Sequence, residues 1–173
     1  MKESNVSIGL VNPKSPENVG SVMRAAGNFS VSSVLYTGKR YPRALMRNPD
    51  LPDMHRKVSL NIPLSEVFCI IEDAPENKSI VCVEFAENAI PLPEYQHPHN
   101  AFYIFGPEDG TISQTIIDRA DSVVFIPTIG CMNLAATVNV VLYDRMTKFS
   151  QIFDSNKLIR LSRDINNNLK VEL

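Results

Sequence analysis

Four polar side chains in this sequence stand shortly after apolar runs, in segments that also contain glycine or proline. They are Asn18, Arg24, Glu108 and Asn133. A guanidinium presents a planar fork of hydrogen-bond donors that suits phosphate, and carboxylates and amides can orient such a fork. Gly106 and Gly110, on either side of the acid, would let a ligand approach the backbone closely. These residues predict a site that binds a polar or anionic ligand.

The elements that must position these residues alternate between strand-like and helix-like runs. The predicted strands are Val6–Val11, Val31–Tyr36, Ser79–Phe85, Ala101–Phe105 and Ser122–Ile126, and the predicted helices are Pro16–Gly27, Pro63–Ile71, Ser113–Arg119 and Met132–Phe149. This alternation is typical of an α/β fold with a mostly parallel sheet and helices on both faces. Ligands bind beyond the carboxyl ends of the strands of such sheets. We therefore expect the four polar residues to lie at that edge.

The helix that begins at Pro16 is amphipathic, and Ser15 before it is a suitable N-cap. Its apolar face carries Val19, Val22, Met23 and Ala26, and its polar face carries Asn18, Ser21, Arg24 and Asn28. The same pattern is typical of a helix that docks on the sheet and leaves its polar face to solvent. Taken alone, Glu108 could likewise be a solvated turn residue, and Asn133 could be a helix cap.

The long helix near the C-terminus is mostly apolar. From Leu134 to Met146, only four of thirteen residues are polar. A helix that is apolar nearly all round is usually buried on more than one side. In a domain of this size, one side can face the sheet and the other a second subunit. The sequence therefore predicts a homodimer.

The composition is that of an ordinary globular protein, with 44% apolar and 21% charged residues in a chain of 173. This length suits one compact domain. We expect residues 1–150 to form it and residues 151–173 to be a tail of the same domain, helical near Lys157–Arg163. No apolar run approaches the roughly 18 residues that span a bilayer, and the N-terminus lacks a signal-peptide apolar region. These features predict a cytoplasmic protein that does not enter a membrane.

The three cysteines, Cys69, Cys82 and Cys131, are widely spaced. No pair has the spacing of a zinc site, and no histidine lies near a cysteine in sequence. Cys69 and Cys82 lie in apolar stretches, which is typical of buried free thiols. The sequence therefore predicts no metal site.

The net charge of −2 does not favour a nucleic-acid partner, but the cations are unevenly distributed. Residues 39–57 contain six lysines and arginines against two aspartates. A basic patch on an acidic body can bind the phosphates of a nucleic acid. The candidate residues are Lys39, Arg40, Arg43 and Arg47. The same segment could equally be a solvated loop.

Three groups of residues combine into a more specific pattern. They are Asn18, Gly20, Arg24 and Ala26; then Phe105, Gly106, Pro107, Glu108 and Gly110; then Ile126, Pro127, Met132, Asn133, Leu134, Leu142, Tyr143 and Asp144. In order and spacing, these groups resemble the three motifs of SpoU/TrmH-type methyltransferases, a branch of the SPOUT superfamily. The similarity covers residues 6–148.

The resemblance implies a SPOUT fold with a deep trefoil knot near the C-terminus, whose loops bind S-adenosylmethionine largely through backbone groups. The expected cofactor-binding residues are Val83, Glu84, Phe85, Gly106, Gly110, Ile126, Cys131, Met132 and Leu134. The implied reaction is methylation of a ribose 2′-hydroxyl in RNA by a homodimer. The chain resembles minimal family members that lack a separate RNA-binding domain, so transfer RNA is the favoured substrate. Ribosomal RNA, or an RNA-binding module without catalysis, is the alternative.

The resemblance also implies catalytic roles for Arg24, Asn18, Glu108 and Asn133. Arg24 would lie nearest the attacking hydroxyl, either as a clamp on RNA phosphate or as a deprotonated base. A guanidinium keeps its proton up to a pKa above about 12, which favours the clamp. Asn18 and Glu108 would orient Arg24 and the ribose, Glu108 being ionised beside the guanidinium, and Asn133 would brace its loop. Cys131 departs from the family's usual serine, and a thiol is a weaker hydrogen-bond partner.

Two other enzyme classes do not fit the sequence. A dinucleotide-dependent oxidoreductase needs a G-x-G-x-x-G turn after the first strand, where this chain has Asn12-Pro13-Lys14-Ser15-Pro16. An esterase of the α/β-hydrolase type needs a G-x-S-x-G elbow, which the chain lacks.

Overall fold

The computed structural model describes residues 5–47, 61–149 and 154–171. Within these residues, the strands are β1 (Val6–Leu10), β2 (Ser33–Tyr36), β3 (Leu64–Glu66), β4 (Ser79–Val83), β5 (Ile90–Pro91), β6 (Ala101–Phe105) and β7 (Ser122–Phe125). The helices are α1 (Pro16–Asn28), α2 (Arg40–Arg47), α3 (Gln114–Ile117), α4 (Leu134–Lys148) and α5 (Ser155–Ser162), and Leu92–Glu94 forms a short 3-10 helix.

The strands form one sheet in the order β3-β2-β1-β6-β4-β7-β5, and all of its neighbouring pairs are parallel. This confirms the predicted α/β class. In the pairing register, Phe105 lies between Leu10 and Val83, and Val83 in turn pairs with Val124. The segments that leave β1, β6, β4 and β7 therefore start side by side at one edge of the sheet.

The central strand β6 is buried on both faces. Its residues Ala101, Tyr103 and Phe105 belong to the apolar cluster under α1 and α4, whereas Phe102 and Ile104 belong to the cluster on the other face. That second face is covered by the short helix α3 and by residues 67–74. A strand buried on both sides is expected to be continuously apolar, as this one is.

Helix α1 begins as the sequence predicts. The hydroxyl of Ser15 accepts a hydrogen bond from the N–H of Asn18 at 3.1 Å, and Pro16 occupies the first helical position. The predicted apolar face is buried: Val19, Val22, Met23 and Ala26 are at most 1% exposed. Capping by a serine hydroxyl satisfies one of the N–H groups that the first turn leaves unpaired.

The prediction of a helix over Pro63–Ile71 is wrong. Leu64–Glu66 forms β3, and residues 70–73 form a turn. The edge of β2 supplies backbone partners, since Val34 donates to the carbonyl of Pro63 and Val67 donates to that of Tyr36. Hydrophobic periodicity in so short a run does not separate a helix from a strand, and the open sheet edge decided the outcome.

The structure differs from the sequence-based expectations in three smaller respects. The basic segment, predicted to be loop-rich, forms helix α2 as far as Arg47, and its remainder lies outside the described residues. Strand β5 and the 3-10 helix were not predicted. Cys69 is half-buried rather than buried, Cys82 is buried as expected, and all three thiols are free.

Helix α5 lies where a helix was predicted near Lys157–Arg163, and its residues are exposed. Whether the tail belongs to the same domain stays a prediction. Among the described residues, no helix combines the length and apolarity that a membrane crossing requires.

One side of α4 is buried. Leu134, Ala135, Val138, Val141 and Leu142 join the apolar cluster that includes α1. The opposite side carries Ala136, Asn139, Tyr143 and Thr147, which are exposed. The sequence analysis predicts that α4 is buried on two sides. In this single chain, the second side is exposed to solvent.

A polar network ties the far end of α4 to the segment before β6. The buried ring of His97 lies 2.6 Å from the hydroxyl of Tyr103 through Nδ1 and 2.8 Å from the carboxylate of Asp144 through Nε2. Lys148 also binds Asp144, at 2.7 Å, and donates to carbonyls of the same segment. Arg145 donates to the carbonyls of residues 98 and 99.

This network predicts how stability depends on pH. Burial lowers the pKa of His97 below its ordinary value near 6.5, although Asp144 opposes the shift. The unfolded chain therefore takes up a proton that the folded chain refuses, so stability is retained above about pH 6.5 and lost as the pH falls below it. We expect the urea midpoint to fall between about pH 7.5 and about pH 5.5, and the fall to shrink in His97→Gln. His99→Gln, a change at an exposed ring nearby, is the control; an unchanged pH dependence in His97→Gln would contradict the prediction.

Candidate active site

An open cleft lies at the carboxyl edge of the sheet, with an empty volume of about 690 Å³. Its walls are the segments that follow β4, β6 and β7, and the start of α4. The lining residues are Val83, Glu84, Phe85, Phe105, Gly106, Pro107, Glu108, Gly110, Phe125, Ile126, Thr128, Cys131, Met132, Leu134 and Thr137. The mixed polar and apolar lining is typical of a small-molecule site.

All nine residues that the sequence analysis predicts at the cofactor line this cleft. They are Val83, Glu84, Phe85, Gly106, Gly110, Ile126, Cys131, Met132 and Leu134. The predicted cofactor-binding residues did not include Phe125, Thr128 and Thr137. Phe125 ends β7 and Thr128 follows it closely, so the strand-end rule could have found these two.

Gly106 sits where a side chain would be tightly packed against the cleft wall. A Cβ added there would lie 3.2 Å from Oε2 of Glu84 and 3.3 Å from Cγ1 of Ile112. The same Glu84 carboxylate accepts hydrogen bonds from the N–H groups of Ile112 and Phe85, each at 2.9 Å. The acid therefore braces the segment after β4 against the segment after β6, and a glycine keeps the backbone between them open.

The loop after β7 is held by hydrogen bonds of Thr128. Its N–H donates to the carbonyl of Ile126 at 2.8 Å, and its hydroxyl donates to the carbonyl of Gly130 at 3.0 Å. Gly130 has a φ of +95°, a left-handed conformation that strongly favours glycine. Ile129 and Cys131 on either side are exposed.

Three of the four predicted catalytic residues form one chain of hydrogen bonds. Nδ2 of Asn18 donates to Oε1 of Glu108 at 3.2 Å, and Nδ2 of Asn133 donates to Oδ1 of Asn18 at 2.9 Å. Asn133 also caps α4, since its Oδ1 accepts from the N–H groups of residues 135 and 136. The chain joins the turn after β6, the start of α1 and the start of α4.

Glu108 accepts two further hydrogen bonds, from the N–H of Lys14 at 2.8 Å and from that of Ser15 at 2.9 Å. Burial by itself raises the pKa of this carboxyl group, but the hydrogen bonds from Ser15, Asn18 and Lys14 outweigh it and hold the pKa below the ordinary value. Glu108 is therefore a carboxylate at neutral pH.

Arg24 is the exception among the four. It lies six residues beyond Asn18 on α1, a rise of about 9 Å along the helix axis, and it lines neither cleft described here. No ion pair joins it to Glu108, so the predicted pairing of these two residues is wrong. The low pKa of Glu108 comes from neutral donors instead. The Nε of Arg24 is buried and has no hydrogen-bond partner among the described residues.

A second, larger cleft lies between α1 and α2, with an empty volume of about 1250 Å³. Its lining residues are Lys14, Ser15, Pro16, Glu17, Asn18, Arg40, Arg43, Ala44, Arg47 and Glu108. Glu108 lines both clefts, so the two are adjacent.

The basic residues are not equivalent. Of the four predicted to bind RNA, Arg40, Arg43 and Arg47 line the second cleft, whereas Lys39 does not and forms an ion pair with Glu66. Sequence reasoning missed Lys14, which adds a fourth cation to this cleft. In the part of the chain that the structure describes, no three histidine, cysteine or acidic side chains are grouped as metal ligands.

Comparisons with solved structures place the fold among RNA-modifying enzymes. A structure described as giving insights into the 2-OH methylation of C/U34 on tRNA is 20% identical, with a TM-score of 0.67 over 84% of this chain and 91% of that one. The AdoMet-bound rRNA methyltransferase from Sinorhizobium meliloti is 16% identical, with a TM-score of 0.67 over 87% and 59%. The methyltransferase AviRb from Streptomyces viridochromogenes, in complex with AdoMet, is 17% identical, with a TM-score of 0.65 over 86% and 62%.

No curated protein sequence matches the chain. The sequence model of the SpoU rRNA Methylase family matches residues 5–143, which contain both clefts and the hydrogen-bonded chain between them. With this match over most of its length, the chain belongs to the SpoU rRNA methylase family.

Proposed function

We propose that this protein transfers a methyl group from S-adenosylmethionine to a ribose 2′-hydroxyl of RNA. The observation that carries the proposal is the arrangement around Glu108. A cleft walled by strand-end backbone lies on one side of this carboxylate and a cleft lined by cations lies on the other, in a member of a methylase family.

S-adenosylmethionine is the cofactor, and the first cleft holds it. Structures of two proteins of this fold contain AdoMet. The cleft residues fit such a ligand because Gly106 leaves open the space that a Cβ would fill, and because the loops around it offer backbone groups. Bound there, the cofactor supplies an electrophilic methyl group. The protein then has to bind, orient and deprotonate the nucleophile.

Glu108, Asn18 and Asn133 orient the ribose. Glu108 is ionised and already accepts three hydrogen bonds, so it acts as a fixed acceptor and not as a donor. The amide of Asn18 is held in one orientation by its neighbours on both sides. Groups locked in this way can place a hydroxyl without reorganising during the reaction.

Arg24 clamps an RNA phosphate near the ribose. A guanidinium stays protonated at neutral pH, which disfavours a role as base. A buried donor without a partner costs free energy, and that cost is recovered when a phosphate or another acceptor arrives. Arg24 lines neither cleft, so the proposed clamp rests on its charge and on its Nε, which has no hydrogen-bond partner among the described residues.

Transfer RNA is the favoured substrate class. The support is the likeness, over 91% of that chain, to the structure concerned with C/U34 on tRNA. Ribosomal RNA is the second candidate, since the matching family is described by rRNA methylation. Mapping 2′-O-methylation in total RNA from cells with and without the gene decides between them; if no site depends on the gene, the protein is an RNA-binding module without catalysis.

The C-terminal part of the domain forms a deep trefoil knot. The connection from β4 to β6 runs past β7 to β5, at the sheet edge, and returns through the 3-10 helix. The chain leaving β7 then enters α4, which binds this same connection through Arg145 and Lys148. The segment after β7 starts between β4 and β5, inside the loop that the β4–β6 connection makes, and continues into α4, which packs against that connection. This path supports the knot.

The first prediction of the proposal concerns the cofactor. We expect calorimetry to give a binding isotherm for S-adenosylmethionine in the micromolar range or weaker, about −8 kcal/mol or less favourable. Because no metal is invoked, EDTA should leave the isotherm unchanged. No heat at about millimolar ligand, or loss of binding with the chelator, would contradict the assignment.

Arg24→Ala should reduce turnover on RNA by about a hundredfold or more, the scale of a lost positioned group, and leave cofactor affinity unchanged. Single-turnover methylation and calorimetry measure the two effects. Arg24→Lys keeps the charge but loses the planar fork, so it should recover only part of the rate. Full activity in Arg24→Ala would remove this residue from the mechanism.

The basic cleft predicts a salt dependence. Phosphate contacts make log affinity fall with log salt by about 0.7 for each neutralised single-strand phosphate. Arg43→Ala combined with Arg47→Ala should weaken binding of labelled tRNA and flatten this slope, without changing cofactor affinity. Arg119→Ala, on the other face of the sheet, is the matched control. An unchanged slope in the double variant would mean that RNA docks elsewhere, with the Lys157–Arg163 segment as the next candidate.

The protein acts as a homodimer, and the exposed face of α4 supports this. Small or flat residues there, such as Ala136 and Tyr143, suit close packing of a symmetric interface. Tyr143→Glu should weaken association because it places a charge in that interface. Light scattering should give twice the chain mass for the wild type; a monomer at about micromolar concentration would contradict the proposal.

A further inference from the structure

The turn that carries Glu108 makes a second attachment through the next residue. The guanidinium of Arg40 makes two close contacts with the carboxylate of Asp109: Nη2 donates a hydrogen bond to Oδ2 at 2.8 Å, and Nη1 lies 2.8 Å from Oδ1. Nζ of Lys14 lies 3.4 Å from the same carboxylate. The hydrogen bonds from Arg40 hold the pKa of Asp109 below its ordinary value, so the pair stays charged at neutral pH.

Within the described residues, helix α2 buries little of its own surface against the body. Among its eight residues, only Tyr41 is buried, and its ring packs edge-on against Tyr36 at a centroid distance of 5.2 Å. One buried side chain does not by itself fix the rotation of a short helix about its own axis. The two contacts between Arg40 and Asp109 restrain both the distance and the angle of α2 relative to the turn.

The orientation of α2 decides where its cations point. Arg40, Arg43, Ala44 and Arg47 recur at helical spacing and all line the second cleft. A rotation of the helix would turn Arg43 and Arg47 away from it. The neighbouring Glu108 is meanwhile held to the start of α1 by three hydrogen bonds. Two consecutive acids thus fasten one turn to α1 and to α2.

We propose that Asp109 is a positioning residue: through Arg40 it holds α2 at a fixed orientation to the Glu108 turn, so that RNA bound by α2 presents its ribose at the site. The effect on RNA methylation rests on the proposed function, but the contact between Asp109 and Arg40 and its effect on α2 can be tested without measuring turnover.

Charge alone predicts the opposite effect of removing Asp109. Replacing an acid beside the basic cleft makes the cleft more positive, which should strengthen RNA binding. Loss of positioning should weaken it, because Arg43 and Arg47 no longer face the substrate together. The direction of the change therefore separates the two roles.

The test compares Asp109→Asn, Asp109→Glu and Arg40→Lys with Glu72→Gln. Arg40→Lys keeps the charge but cannot form the planar fork. Glu72→Gln removes the acid of an exposed arginine pair with Arg119 on the other face of the sheet, and so makes the same change in charge. The probes are a labelled pool of transcribed tRNA for binding and turnover, S-adenosylmethionine for calorimetry, and hydrogen exchange of the amides of residues 40–47.

Asp109→Asn and Arg40→Lys should each raise the KM and the dissociation constant for tRNA by roughly threefold or more. In Asp109→Asn, the kcat at saturating RNA and the cofactor affinity should stay near wild type, because Glu108 keeps its own hydrogen bonds. Exchange in α2 should accelerate in both variants, Asp109→Glu should restore part of the loss, and Glu72→Gln should match the wild type.

Tighter tRNA binding in Asp109→Asn, or wild-type behaviour and exchange in Arg40→Lys, would overturn the inference. Absence of methyl transfer by the wild type to any RNA would instead count against the proposed function. In that event, tRNA binding and exchange in α2 still decide whether Asp109 orients the helix.

Discussion

The carboxylate of Glu108 accepts hydrogen bonds from the N–H groups of Lys14 and Ser15 and from the amide of Asn18. An acid at the end of a buried strand is unfavourable unless donors compensate for its lost hydration. Here burial raises the pKa and the donors bring it below the ordinary value, so the compensation is complete. Because Asn133 binds the same Asn18, one acid fixes the start of α4 relative to α1. Both clefts depend on this arrangement.

Helix α4 is anchored at its other end by a different kind of contact. Arg145 and Lys148 donate to carbonyls of the segment before β6, and the buried His97 bridges Tyr103 and Asp144. A helix held at both ends, with its inner face in the apolar core, keeps the loop before it in place. That loop forms one wall of the first cleft. The outer face of α4 is exposed in this single chain.

The sequence analysis anticipated the site better than the elements around it. Asn18, Glu108 and Asn133 meet, as expected of residues that follow strands of one parallel sheet. The expected Arg24–Glu108 pair does not form, because six residues along a helix separate Arg24 from the turn that binds Asn18. The segment predicted as a helix over Pro63–Ile71 contains the edge strand β3 instead. Its sequence has no strong helix signal, and the open edge of β2 offers hydrogen-bond partners for a strand.

The sequence by itself determined the α/β class, the capped start of α1 and the burial of β6. These follow from local patterning and from the rule that parallel strands end together. The nine predicted residues of the first cleft came instead from the resemblance of the sequence motifs to a known family. Only the tertiary structure decided which cations are already paired, as Arg40 is with Asp109 and Lys39 with Glu66. It also decided that Glu108 relies on neutral donors. Such partners come from distant parts of the chain, and a linear pattern contains no information on which charged groups meet once the sheet has formed.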